Sequence, residues 1–317
     1  MSKTALSTLE PHESFTLCNH KHGDKVPDRT VTMMLLMLVI PWISTMWGNC
    51  EVMKGKKFTC TQFFHKGEEP SGLEPNRSAR ICQTHEGKVH FATMYDREKR
   101  IPIYSAYKYN RKDGKFNRSY YYEPQLVDLK NGKKMMKMPE NATKEVKESQ
   151  AVSEDYKKEN MNIFSKQYNR GHLNPIIHHN DIHSKEATCT LTNIVPQLQD
   201  LNGGQWTKYE GIEMQNFTKG CKKTYVIVGV ITGNNYTYTN NEKRVNVPSH
   251  IWTAACCVNE KGTSEKFFGY IAKNNKNEVK NISLVDLQYL LKTAFGSDVT
   301  LFNGDCKGNR NTLFQNF

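Results

Sequence analysis

The chain has 317 residues, with 44 Lys+Arg against 32 Asp+Glu, a formal charge of +12, and 37% apolar residues. That length suits one large domain or two ordinary ones, and the composition excludes a polytopic membrane protein, a collagen and a coiled-coil fibre. The 14 Phe, 15 Tyr and 4 Trp supply material for a core, and the surplus of positive charge points to a polyanionic partner.

The first distinctive segment is the apolar run VTMMLLMLVIPWISTMWG over residues 31–48, which follows Arg29. It is shorter than the ~20 apolar residues a membrane span needs, and Pro41 breaks it. With the small Gly48 at its end it reads as a secretory signal cleaved near Gly48/Asn49, behind an unusually long leading segment. A retained signal anchor is the competing reading. The predicted organisation is therefore an N-terminal extension and signal peptide over 1–48 and one domain over 49–317. Lys3, Lys21, Lys25 and Arg29 cancel Glu10, Glu13, Asp24 and Asp28, so cleavage leaves the charge unchanged. It also removes Cys18 and leaves Cys50, Cys60, Cys82, Cys189, Cys221, Cys256, Cys257 and Cys306. An even count in a secreted chain predicts disulfides. Adjacent Cys256 and Cys257 are expected to have different partners, and no further pairing is assigned. Asn76, Asn117, Asn141, Asn216, Asn235 and Asn281 each open an N-x-S/T triplet, which agrees with export.

In chain order, Lys88–Tyr95 and Ile101–Tyr109 read as two strands around the polar turn DREKR. Residues 127–160 are rich in Lys and Glu and read as a solvated loop or insertion. Tyr225–Ile231, Ile251–Val258 and Phe267–Ala272 have buried-strand patterns. Ser283 opens a helix to about Phe295, with Asp286 completing a capping-box-like start and Gly296 as its stop. The stripe Leu284, Leu287, Leu290 and Leu291 on that helix reads as core, as do Trp206 and Trp252. These elements predict an α+β domain.

The chemistry lies between residues 169 and 210. Asn169-Arg170-Gly171-His172-Leu173-Asn174-Pro175 puts a guanidinium two residues from an imidazole. Asn202-Gly203-Gly204-Gln205-Trp206 follows, then Glu210. A helix starting near Asn202 brings Asn202 and Glu210 to one cleft. Imidazole, amide, carboxylate and guanidinium together suit phosphodiester hydrolysis, in which a hard cation neutralises phosphate, a base deprotonates water and an Arg holds developing charge. Nearby Arg170 and a cation should depress the His172 pKa. His178, His179 and His183 suggest zinc, but no Cys or acidic ligand set completes that reading.

NRGHLNP resembles the DRGH motif of the DNA/RNA non-specific endonucleases. TNIVPQ at 192–197, followed by LNGGQW and Glu210, is similar to that family's N-x-x-P-Q…L-N…W…E block, and YVIVGVITG and VPSHIWTAACC are similar to its later strands. The cysteines, the signal and FATMYDREKRIPIYSAY further resemble the secreted endonuclease domain-containing 1 subgroup. The resemblance implies a ββα-metal (His-Me finger) nuclease fold, with a central antiparallel sheet flanked by helices and stabilised by disulfides. It implies His172 as general base, Asn202 as the direct protein ligand of Mg²⁺ (or Mn²⁺), and Glu210 orienting metal-bound water. It gives Arg170 to the phosphate and Arg118, in R-S-Y-Y-Y-E-P, to a second phosphate clamp. Asn193 and Gln197 would brace the site. Asn169 departs from the family's usual Asp, which removes a charge and predicts weaker metal binding or lower activity.

The expected function is a secreted, metal-dependent endonuclease that hydrolyses DNA and RNA without sequence specificity and has no stable membrane association. Two alternatives stand beside it. One is a catalytically impaired relative that binds nucleic acid or another polyanion. The other is a phosphodiesterase for a smaller nucleotide.

Overall fold

The computed structural model of the protein describes residues 51–303 and Cys306. The signal expected at 31–48, Cys18 and Cys50 lie outside the described residues. Those that are described belong to one compact unit, Gly48–Phe317.

Three consecutive antiparallel strands open the main sheet: β1 (Ser78–His85), β2 (Lys88–Asp96) and β3 (Ile101–Lys108). A second layer follows, made of β4 (Lys166–His172), β5 (Ile194–Leu198) and a helix over 199–217. The chain then returns to the main sheet as β6 (Lys223–Ile231), β7 (His250–Val258), β8 (Ser264–Lys273) and β9 (Lys280–Asn281). The sheet order is β1-β2-β3-β6-β7-β8-β9, antiparallel throughout.

The continuous apolar run of β6 reflects burial on both faces. Val226, Val228 and Val230 point into the core shared with β4, β5 and Trp206, whereas Ile227 joins Ile103, Trp252 and Leu287 on the other side. Period-two alternation places them so. The same alternation separates the adjacent cysteines of β7: Cys256 bonds Cys306 and Cys257 bonds Cys221, while Cys60 bonds Cys82. Cys189 is buried and free. All six sequon asparagines are exposed.

The Leu284–Phe295 helix closes the second face as its sequence implies. Ser283 accepts from the Asp286 amide, Gly296 takes the left-handed conformation (φ 72°), and Leu287 and Leu291 are buried. Such a cap stabilises by about 1 kcal/mol.

The segment 127–160 differs from the solvated loop expected. A short helix, Lys144–Ser149, leads into Gln150–Val152, which is buried, and Asp155 and Tyr156 are buried too. Asp155 makes a bidentate pair with Arg244 at 2.8 and 3.1 Å and accepts from Thr239 and from the Val152 amide. Few large apolar residues advertise this burial, because the segment is held in place by polar pairing with distant residues.

A second buried polar pair fastens the start of the described chain. Glu51 and Glu123 are buried neighbours, and burial pushes both carboxyl pKa values up. Two buried carboxyls in contact must share a proton. Below the free value of 4.5 both folded and unfolded forms are protonated. Above it the unfolded chain ionises and the folded one resists, so stability falls as pH rises. Glu51→Gln should raise the melting temperature by roughly 5 °C at about pH 8 and change it little at about pH 4. Equal shifts at both pH values in thermal unfolding would exclude the shared proton.

Candidate active site

β4 pairs antiparallel with β5, with His172 opposite Ile194, Gly171 opposite Val195 and Asn169 opposite Gln197. The helix over 199–217 follows β5 directly. The strand–strand–helix unit therefore places the two sequence motifs side by side.

Gly171 is required by this pairing. A Cβ there would lie 2.3 Å from Gln197 Oε1 and 2.6 Å from Gln197 Cβ. Only glycine lets Arg170 and His172 flank the Gln197 side chain so closely.

The helix begins at Gln199, not near Asn202 as expected. Asn202 lies inside it, three residues from its start. Two stretches, Asn202–Trp206 and Tyr209–Glu213, are π-helical. Such wider turns recur at functional sites because they shift backbone groups out of the regular ladder. Here His178 donates from Nε2 to the Glu210 carbonyl at 2.9 Å, and its Nδ1 accepts from the Tyr107 hydroxyl at 2.9 Å. His178 thus fixes the helix at the turn carrying Glu210, a positioning role the sequence did not reveal. His179 bonds Asn174 Oδ1 at 2.7 Å.

His172, Arg170, Asn169, Asn202, Glu210 and Arg118 all line one cleft of about 670 Å³. The Asn202 Nδ2 donates to Asn169 Oδ1 at 2.7 Å. That bond leaves the Asn202 Oδ1 as a hard oxygen for a cation. The Glu210 carboxyl accepts from the Trp206 side chain, yet burial pushes its pKa up to about 8. A cation placed beside it would favour its charged form. An amide oxygen and a carboxylate form a donor set that fits Mg²⁺.

His172 has its pKa lowered to about 3, first by burial and then by Arg118 and Arg170. A ring N–H donates to the Arg170 carbonyl, and Nε2 is buried without a protein partner. The imidazole is therefore neutral, with a lone pair unused by the protein.

Arg170 is clamped between aromatic faces. Its guanidinium lies 4.5 Å from the Tyr120 ring centroid and 5.7 Å from that of Tyr156, and it donates to the Ser153 carbonyl at 3.3 Å. Cation–π packing holds the charge in one orientation. Neither Tyr120 nor Tyr156 belongs to a recognisable motif; the run Tyr120-Tyr121-Tyr122 was the available signal for one of them. Arg118 is exposed and lies 5.7 Å from the Phe116 ring centroid.

Asn193 and Gln197 do not reach the cleft. Asn193 is buried, accepts from Ser105 and from the Asn174 amide, and donates to the Asn174 and Thr188 carbonyls. It ties the two ends of the connection between β4 and β5. Trp206 and Trp252 are core residues.

The profile described as DNA/RNA non-specific endonuclease matches residues 78–289. Two similar curated proteins are the endonuclease domain-containing 1 proteins of Homo sapiens, 29% identical over 239 residues, and of Mus musculus, 28% identical over 240 residues. Each alignment covers 73% of this chain but 45% of the relative, so the chain spans less than half the length of the relatives it matches. Among solved structures, the EndoG/EndoGI complex is similar at 15% identity and a TM-score of 0.48, covering 77% of this chain and 91% of that one.

Proposed function

Given that the chain belongs to the DNA/RNA non-specific endonuclease family, we propose that it hydrolyses phosphodiester bonds of DNA and RNA at the cleft lined by His172, Arg170, Asn202 and Glu210. The observation that carries this reading is the convergence of those four side chains on one cavity.

In this reading His172 takes the proton of the attacking water. Its neutral form and unpaired Nε2 support that role. Arg170, already oriented by Tyr120 and Tyr156, holds a non-bridging phosphate oxygen as charge develops there. Arg118 guides the phosphate backbone at the exposed rim. Asn202 would hold Mg²⁺ and Glu210 would orient water around it, and the ion would supply positive charge against the phosphate. Asn193 braces the connection that follows His172.

The +12 charge supports backbone-directed binding, which carries no sequence information and weakens steeply with salt. Exposed sequons and disulfides support a secreted protein. Among the described residues no helix is long and apolar enough to cross a membrane.

The test is digestion of plasmid DNA and total RNA with Mg²⁺ and with EDTA. Cutting of both polymers only with Mg²⁺ is the expected result. A correctly folded protein that retards DNA on a gel but cuts neither polymer would establish the polyanion-binding alternative instead.

Asn169 tests the site from the metal side. An amide and a carboxylate both accept from Asn202 Nδ2, so the shape survives. Only a carboxylate fixes that direction of donation and adds a negative charge beside the cation. Asn169→Asp should therefore tighten Mg²⁺ binding on the order of 10-fold. The Mg²⁺ dependence of the cutting rate measures it, and an unchanged half-saturation would remove Asn169 from the metal environment.

A further inference from the structure

We propose that the protein carries a second metal site, a Zn²⁺ site built from His85, His183 and Glu186, which lies outside the cleft. The three offer one ligand atom each, and these atoms lie within 4.8 Å of one another. Glu186 Oε2 is 3.3 Å from His85 Nε2 and 3.7 Å from His183 Nδ1. Tetrahedral zinc with bonds of ~2.0–2.1 Å places its ligand atoms roughly 3.4 Å apart. Both separations from Glu186 are close to that edge length, and the His85 and His183 ligand atoms lie within 4.8 Å, a gap the exposed His183 ring can close.

The geometry has a clear local origin. His183 and Glu186 sit one turn apart on the Ile182–Ala187 helix, so they share a face. His85 is the last residue of β1 and meets them from the sheet. His85 is 3% exposed, and its Nδ1 is buried without a hydrogen-bond partner. Ser184 of the same helix bonds His90 Nδ1 at 2.9 Å, and His90 Nε2 bonds the His85 carbonyl at 3.0 Å, which holds helix and strand in register. Asp181 caps the helix by accepting from Ser184. Sequence alone offered His183 without an acidic ligand. Folding supplies Glu186 from the same helix face and His85 from a distant strand.

Two imidazoles and a carboxylate select a borderline ion over Mg²⁺, which prefers oxygen ligands throughout. His183 is half exposed, so water completes the fourth position. None of the three residues lines the cleft. The site therefore does not serve the hydrolytic cation. It would cross-link β1 to the connection between β4 and β5, whose first residues follow His172 and whose last is Asn193. Zinc would fasten the segment that carries the end of the catalytic strand.

The experiment uses the full chain, stripped of metal and held in excess Mg²⁺ so that the oxygen-rich cleft is occupied. Titration with Zn²⁺ alone is followed by calorimetry, and Co²⁺ by its visible bands in four- or five-coordinate sites. The expected result is tight Zn²⁺ binding that weakens at least roughly 10-fold in His183→Ala and in Glu186→Gln and survives in Asn202→Ala. At Zn²⁺ about 100 times its dissociation constant, the melting temperature of the unmutated chain should rise by roughly 5–10 °C. His183→Ala removes an exposed side chain, so the variant keeps its fold. Zn²⁺ binding left unchanged by both variants, or none at all, overturns the proposal and leaves a His85–Glu186 hydrogen bond in its place. Neither result depends on cutting of nucleic acid.

Discussion

His172→Ala should lower the cutting of DNA and RNA by roughly 10²–10⁴-fold, the contribution expected of a positioned general base. The fold should be unaffected, because the protein uses only one ring nitrogen and that one bonds a neighbouring carbonyl. The pH dependence follows from the surroundings of the same ring. Free imidazole titrates near ~6.5, but here burial, Arg118 and Arg170 press the value down to about 3. A depressed base stays neutral as pH falls through the free value. At saturating Mg²⁺ the rate should therefore show no inflection at ~6.5. Arg118→Gln removes one of the depressing charges and should move the acid limb upward. The measurements are initial rates on supercoiled plasmid and on RNA across pH, with circular dichroism to establish folding. Full activity in His172→Ala would assign the base elsewhere in the cleft.

Asp155→Ala should cost about 3–5 kcal/mol, the loss typical when one member of a buried ion pair is removed and the other stays unpaired. Arg244 is 6% exposed and Asp155 0%, so water cannot solvate the stranded guanidinium. Two further donors, Thr239 and the Val152 amide, lose their acceptor as well. Urea unfolding measures the effect, and a change below about 1 kcal/mol would mean that the pair is solvated. The consequence reaches the cleft. Ser153 and Tyr156, which flank Asp155 in the chain, are two of the groups that orient Arg170. Asp155→Ala should therefore also reduce cutting under conditions where the variant remains folded.

The elements written in local pattern were legible before folding was considered. The main strands follow from their apolar runs, because a sheet buried on both faces requires them. The final helix follows from Ser283, Asp286, its leucine stripe and Gly296. The order of the motifs and the family they resemble brought His172, Asn202 and Glu210 into one hypothesis. Local pattern failed where partners are distant. Asp155 looks like a surface charge until Arg244 is folded against it, and His178 looks like a spare ligand until Tyr107 and Glu210 bracket it. Gly171 looks like a flexible link until Gln197 on the neighbouring strand fills its space.

The sequence by itself determined the family, five strands of the main sheet and the final helix, because each of these is carried by residues close together in the chain. Only the tertiary structure decided which charges are buried, how Arg170 is held by Tyr120 and Tyr156, and that His85 meets His183 and Glu186. Those properties depend on contacts between segments tens of residues apart. A one-dimensional pattern holds no record of such distances until the chain has folded.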